Sequence, residues 1–146
     1  MGGEQHPVDV RRVGRVGDAV VRHRRVGVED GVERVPHGGV PGVQPGRVVI
    51  LGGGVVGFHA AENAVGLGAD VTIFDKSASA LERLSTHFGA SARVLYAQQE
   101  TLAGAVANAD LVIGAVLVPG AAAPKLVTKA MVGSMRRGAV LVDVAI

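Results

Sequence analysis

Short apolar runs alternate with segments of helical spacing from Gly38 to the end of the chain. The runs predict five strands, at about 48–51, 71–74, 93–96, 111–118 and 139–144. Strands that are apolar throughout are typical of a parallel sheet covered by helices on both faces. The pattern therefore predicts an α/β fold, a Rossmann-type doubly wound parallel sheet with strand order 3-2-1-4-5. Because the chain stops at Ile146, inside or just after the fifth strand, we expect this sheet to be truncated after about five strands.

The segments between the strands carry the start and stop residues of helices. Helices are predicted at about 55–67, 102–108 and 128–135, and one more follows the second strand. Gly68 stands just past the first helix, where a left-handed residue is often needed. Ser79 has the spacing of a capping box, and Ser77 is an equal candidate for the same N-cap. Thr128 is predicted to cap the last helix.

Residues 1–37 have a composition unlike the rest of the chain. They include ten valines, seven arginines and six glycines, with no lysine and no lasting apolar period. Glycine interrupts every candidate helix, and few large apolar groups are present to offset the entropy of ordering. We interpret 1–37 as an atypical, low-complexity leader that is disordered or loosely packed. Two alternatives stay open: a basic tail for an acidic partner, and GC-rich coding DNA translated in a shifted frame.

A glycine-rich segment joins the first predicted strand to the first predicted helix. Gly52, Gly54 and Gly57 stand in G-x-G-x-x-G spacing directly after the apolar run. In this pattern the first glycine permits a tight turn, the second lets the backbone approach a diphosphate, and the third lets the helix pack closely. The N–H groups at the helix start, around Val55 and Val56, would face the phosphates. The segment therefore predicts a dinucleotide-binding turn.

Asp75 ends the second predicted strand, 18 residues beyond Gly57. A carboxylate at this point can accept hydrogen bonds from a ribose hydroxyl pair, which favours NAD over NADP. Lys76 is a further candidate for the cofactor site, since a cation there would tolerate a 2′-phosphate. Strand, glycine turn, helix and acid together predict an NAD-binding domain over 38–146, incomplete at its end.

Three more residues are assigned to the cofactor site from their position at strand ends. Val116 and Leu117 follow the fourth strand at the carboxyl edge, where ligands of open α/β sheets bind. Val144 is assigned there at the end of the fifth strand.

Composition narrows the function classes. Aromatic residues make up 3% of the chain and the net charge is +2, so we expect no nucleic-acid partner. The chain has no cysteine, and its histidines show no ligand spacing, so no metal is expected. The longest apolar stretch, 111–123, is too short and too interrupted to span a bilayer. We expect a soluble, cytoplasmic protein with no membrane partner.

Six motifs after the leader carry a resemblance to a known family. They are GVPGV (39–43), LGGGVVG (51–57), AVGLGA (64–69), ADLVIGAVLVPG (109–120), APKLV (123–127) and GAVLVDVAI (138–146). With them the chain resembles the NAD-binding domain of alanine dehydrogenase. The α subunit of proton-translocating nicotinamide nucleotide transhydrogenase shares much of this pattern and stays an alternative. A non-catalytic NAD-binding module is a further one.

The resemblance implies an oxidoreductase: reversible, NAD-dependent oxidative deamination of L-alanine to pyruvate and ammonium, in a cytoplasmic homo-oligomer, typically a hexamer. The family's substrate-binding Lys and His lie in an N-terminal domain that residues 1–37 do not resemble. Its catalytic Asp follows the motif that ends at Ile146. We therefore assign no catalytic residue here, and expect a fragment that binds NAD(H) and leaves L-alanine and pyruvate to the full-length enzyme. A serine usual in the family is replaced by Ala97, which should weaken cofactor binding modestly.

Overall fold

The computed structural model describes residues 11–16, 19–23, 42–116 and 126–144. The strands are β1 (Arg11–Val16), β2 (Ala19–His23), β3 (Arg47–Leu51), β4 (Asp70–Asp75), β5 (Ala92–Tyr96), β6 (Leu111–Gly114) and β7 (Val140–Asp143). The helices are α1 (Val55–Gly66), α2 (Ala78–Phe88), α3 (Gln99–Asn108) and α4 (Lys129–Ser134), with a 3₁₀ turn at Gly89–Ser91. Within the described ranges, no helix has both the length and the apolar character needed to cross a bilayer.

Five neighbouring strands of the sheet are parallel, in the order β5-β4-β3-β6-β7, with β3 in the middle. Numbered along the chain, these strands read 3-2-1-4-5, so the predicted order is confirmed. Val49 of β3 lies opposite Thr72 on one side and Val112 on the other. This register brings the carboxyl ends of β3, β4 and β6 to one edge of the sheet, where the glycine segment begins.

Side chains of β3 alternate between two hydrophobic cores, one on each face of the sheet. Val48 and Ile50 belong to the core that α1 and α2 cover, in which Leu84 is fully buried. Val49 and Leu51 belong to the core that α3 and α4 cover. Helices on both faces confirm the predicted doubly wound α/β fold.

The leader contributes two strands that the sequence did not predict. β2 pairs antiparallel with β7, with Val21 opposite Val142, and β1 pairs antiparallel with β2. The sheet is therefore mixed, with seven strands in the order β1-β2-β7-β6-β3-β4-β5. For 11–16 and 19–23 this differs from the expected disordered or loosely packed leader. Pairing with an open sheet edge needs no apolar period, and valine favours strands; the rest of the leader lies outside the described residues.

Local side chains and glycine set the ends of the helices. The Ser77 hydroxyl accepts a main-chain hydrogen bond in the first turn of α2, so Ser77 rather than Ser79 is the N-cap. The Thr128 hydroxyl accepts from the N–H of Met131 at 3.2 Å, which confirms the predicted cap of α4. Gly68 has a φ of 77°, the left-handed conformation expected after α1.

Two elements differ in extent from their predictions. α3 begins at Gln99 rather than near Leu102, because its first turn is polar and lies outside the apolar period. β6 ends at Gly114, although the strand was predicted to run to 118. Its partner β3 ends at Leu51, where the glycine turn begins, so the ladder stops there. Residues 117 and 118 lie outside the described residues.

Gly104→Ala is expected to stabilise the domain by about 0.5–1 kcal/mol. Gly104 lies inside α3, and a Cβ at this position would meet no heavy atom within 4 Å. The substitution removes conformational freedom from the unfolded chain and adds no contact to the folded one. Chemical denaturation should show a higher midpoint with an unchanged slope. A lower midpoint would contradict the helix assigned here.

Candidate functional site

Gly52 makes the turn that leads off β3. Its φ of 98° lies in the left-handed region, which residues with a side chain rarely adopt. A Cβ atom here would lie 2.9 Å from the carbonyl oxygen of Ala115. The N–H of Gly52 donates to the carbonyl of Phe74 at 2.8 Å. The turn is therefore bonded to β4 and packed against the end of β6, which leaves room only for glycine.

Gly57 brings the start of α1 directly against this turn. A Cβ at Gly57 would overlap the carbonyl oxygen of Gly52, well inside the 3.0 Å that real Cβ atoms keep. No L side chain fits here unless the helix moves away from the sheet. Gly57 is buried. Its lack of a side chain therefore allows α1 to contact the turn.

Gly54 is the N-cap of α1 and presents bare backbone to open space. A Cβ there would meet no heavy atom within 4 Å, so no protein contact requires glycine at this position. No side chain caps the helix, and the first-turn N–H groups have no intrahelical partner. The neighbouring Val55 and Val56 are 77% and 42% exposed. An anion at this helix start would meet unpaired donors and the positive end of the helix dipole.

Asp75 reaches back from the end of β4 to the glycine turn. Its Oδ2 accepts from the N–H of Gly53 at 2.6 Å, and its Oδ1 accepts from the N–H of Ser77 at 2.8 Å. The carboxylate is half-buried, and two main-chain donors fix its orientation. An ionised carboxylate has roughly four lone-pair positions. Asp75 therefore keeps acceptor capacity for hydroxyl groups of a ligand.

These features border one open groove of about 520 Å³ at the carboxyl edge of the sheet. Ligand sites in proteins measure roughly 300–1,000 Å³. Seven of the ten residues predicted for the cofactor site line this groove: Gly52, Gly54, Val55, Val56, Asp75, Lys76 and Val116. The structure thus brings together the glycine turn, the acid of β4 and the residue that follows β6.

The other three predicted residues are placed differently. Gly57 lies behind the turn and is not among the residues that line the groove. Val144 follows β7, where its N–H donates to the carbonyl of Gly114 at 2.8 Å, and it does not line the groove either. Leu117 lies outside the described residues. Cofactor binding by each of the ten residues stays a prediction.

Sequence reasoning missed part of the wall beside Asp75. Gly53, Ser77 and Arg83 also line the groove, as does Ala97, whose N–H donates to the carbonyl of Asp75 at 3.0 Å. The sequence did indicate that residues of α2 lie near the groove. α2 starts shortly after Asp75, so its first turns must lie beside the carboxyl ends of the strands. The helix period does not show which polar side chain turns toward the groove. In the described residues no group of His, Asp and Glu side chains is arranged to hold a metal ion.

Comparisons with known proteins agree with this geometry. The model of the family described as "Alanine dehydrogenase/PNT, C-terminal domain" matches residues 24–146. The alanine dehydrogenase of Bacillus subtilis is 57% identical over 108 residues, 74% of this chain and 29% of that protein. A solved L-alanine dehydrogenase superposes with a TM-score of 0.70 and 57% identity, over 72% of this chain and 29% of that one. A transhydrogenase from Sinorhizobium meliloti gives a TM-score of 0.59 and 33% identity, over 66% and 28%.

The chain spans less than a third of the length of these relatives. Its likeness to the alanine dehydrogenases is closer than its likeness to the transhydrogenase, in both identity and superposition. The family match includes every element that borders the groove. The chain belongs to the alanine dehydrogenase/PNT C-terminal domain family, whose members depend on NAD.

Proposed function

We propose that this chain is the NAD-binding part of an alanine dehydrogenase. One observation carries the proposal: the bare backbone at Gly54 and the carboxylate of Asp75 face the same groove. A diphosphate needs main chain without a side chain in its way, and an adenosine ribose needs an acceptor for its hydroxyls. Gly54 offers the bare main chain, and Asp75 offers the acceptor.

The residues of the groove fit NAD part by part. The uncapped start of α1, with Gly54, Val55 and Val56, would hold the diphosphate through main-chain N–H groups. Asp75 would accept from the ribose hydroxyls, since its orientation is already fixed by two main-chain donors. Val116, which is half-buried two residues after the end of β6, would pack on the nicotinamide side.

The carboxylate of Asp75 also favours NAD over NADP. A 2′-phosphate adds a charge of about −1.5 to −2, which an ionised carboxylate at the ribose would repel. Lys76 lines the groove as well, and its positive charge would offset part of that repulsion. NAD is therefore the cofactor proposed for this site, and NADP the weaker ligand.

The reaction proposed for the complete enzyme is the reversible oxidative deamination of L-alanine to pyruvate and ammonium. NAD would accept the hydride. This chain would bind NAD, orient it and shield one side of it from water. We assign no catalytic role to any residue of this chain. We propose that the complete enzyme is a cytoplasmic homo-oligomer, a hexamer. Within this chain, we propose that the NAD-binding domain begins near Gly38.

A transhydrogenase domain is the second candidate, supported by the solved structure at 33% identity. The alanine dehydrogenase at 57% identity fits better, so we place the transhydrogenase second.

Fluorescence titration of the purified chain with NADH tests the proposal, with an assay of alanine-dependent NAD reduction beside it. We expect saturable binding of NADH and no reduction of NAD when L-alanine is added. A folded chain that binds no NADH would contradict the assigned site. Turnover of alanine by this chain would show that catalytic residues lie within it.

Asp75→Asn is expected to weaken NADH binding about tenfold, because the charged acceptor for the ribose hydroxyls is lost. The folded state should lose about 1 kcal/mol, since the amide oxygen can accept only one of the two main-chain hydrogen bonds and the amide NH2 then faces the other N–H. Asp70→Asn is the matched control, with the same substitution at the other end of β4, where Asp70 pairs with Arg93. Calorimetric titration should show NADH affinity unchanged in that control. Equal affinities in both variants would remove Asp75 from the site.

A further inference from the structure

Gly53 is fixed by side chains on both sides of its Cα. Its N–H donates to Oδ2 of Asp75 at 2.6 Å, and its carbonyl accepts from Nη2 of Arg83 at 2.7 Å. One partner ends β4, and the other lies in the second turn of α2. Glycine has no side chain to restrict φ and ψ, so neither adjacent peptide is held by its own sterics. Asp75 and Arg83 therefore supply the restraint that Gly53 lacks.

The hydrogen bond from Arg83 also orients the start of α1. The peptide between Gly53 and Gly54 is trans, since the described residues contain no cis bond. In a planar trans peptide the C=O and N–H point in opposite directions. Holding the Gly53 carbonyl toward Arg83 thus fixes the direction of the Gly54 N–H, one of the donors proposed for the diphosphate.

Packing keeps Arg83 in register with the turn. Leu84, its neighbour in α2, is fully buried, and its Cδ1 occupies the space that a Cβ at Gly53 would need. α2 therefore touches the turn through Leu84 and binds it through Arg83. The helix cannot shift along the turn without disturbing both contacts.

We propose that Arg83 is a positioning residue for the dinucleotide, acting through Gly53 and not by touching the cofactor. The inference rests on the proposed NAD site. With Gly53 clamped between Asp75 and Arg83, the turn is ordered before the ligand arrives, and binding costs less conformational entropy. Arg83 thereby raises the affinity for NADH, although its guanidinium binds a main-chain carbonyl and does not touch the cofactor.

Simple charge attraction is the competing account, because Arg83 and Lys76 both line the groove. Within the described residues no hydrogen bond or ion pair joins Lys76 to the glycine turn, whereas Arg83 is bonded to it. Lys76→Ala is therefore the matched control for Arg83→Ala. Each variant removes one positive charge from the groove, and only one of them removes the bond to Gly53.

The first measurement is amide hydrogen exchange of Gly53 by NMR, without cofactor. Arg83→Ala should speed this exchange about fivefold, because the N–H bond to Asp75 opens more often once the carbonyl is released. Lys76→Ala should leave the exchange rate at the wild-type value. Arg83→Lys should restore most of the protection, since the ammonium can still donate to one carbonyl.

The second measurement is a double-mutant cycle on NADH affinity. Arg83→Ala should weaken NADH about fivefold in the wild-type chain and less than about twofold in an Asp75→Ala background, where Gly53 has already lost one anchor. Equal losses in both backgrounds would show that Arg83 touches the cofactor directly, and would overturn the proposal. Unchanged Gly53 exchange in Arg83→Ala would overturn it as well. A wild-type chain that binds no NADH would overturn the proposed function, and the exchange rates would still decide whether Arg83 fixes Gly53.

Discussion

Gly57→Ala is expected to destabilise the domain by about 3 kcal/mol or more and to abolish NADH binding. The added methyl group would overlap the carbonyl oxygen of Gly52, which is main chain and cannot rotate aside. Relief requires α1 to move away from β3, which opens the core at Ile50 and Ala61. The same movement takes the N–H groups of the helix start away from the groove.

Gly66→Ala is the control for this substitution. It makes the same chemical change in the same helix, where a Cβ would meet nothing within 4 Å. Thermal unfolding should show a large drop in Tm for Gly57→Ala and no drop for Gly66→Ala. If Gly57→Ala kept both the wild-type Tm and NADH affinity, the close approach of α1 to the turn would be refuted.

Gly54→Val is expected to lower NADH affinity by about 100-fold, or about 2.7 kcal/mol. The backbone of Gly54 has a φ of −69°, which valine adopts without strain, and the space around its Cβ is open. The folded chain should therefore tolerate the substitution. The isopropyl group would fill the volume in which the diphosphate approaches the main chain.

The separation between stability and binding makes Gly54→Val informative. Calorimetric titration should show the loss of affinity, while the Tm stays within a few degrees of wild type. The NADH affinity of Gly54→Ala should lie between those of wild type and Gly54→Val, because a methyl group fills less of the space needed by the diphosphate. A valine variant that bound NADH as tightly as wild type would place the diphosphate elsewhere.

The parts of the fold and site that the sequence predicted depend on local pattern. The run before Gly52, the helix after it and the acid at Asp75 are close in sequence, and their types fix a strand, a turn and a helix. Gly68 and Thr128 marked helix ends correctly because one residue decides each end. Strand order then follows from the parallel α/β pattern with few alternatives.

The parts that the sequence did not predict depend on contacts between distant residues. Arg83 lies 30 residues from Gly53, and nothing in the helical period distinguishes it from a solvated arginine. The strand 19–23 is defined by the free edge of β7 and carries no alternating pattern of its own. In both cases the partner, and not the segment itself, determines the structure.

A crystal structure of this chain with NAD tests the central claim most directly. We expect the diphosphate against the main chain at Gly54 and the start of α1, with the adenosine ribose hydroxyls on Asp75. A folded chain whose groove stays empty at saturating NAD, or is filled by another segment of the chain, would contradict the account.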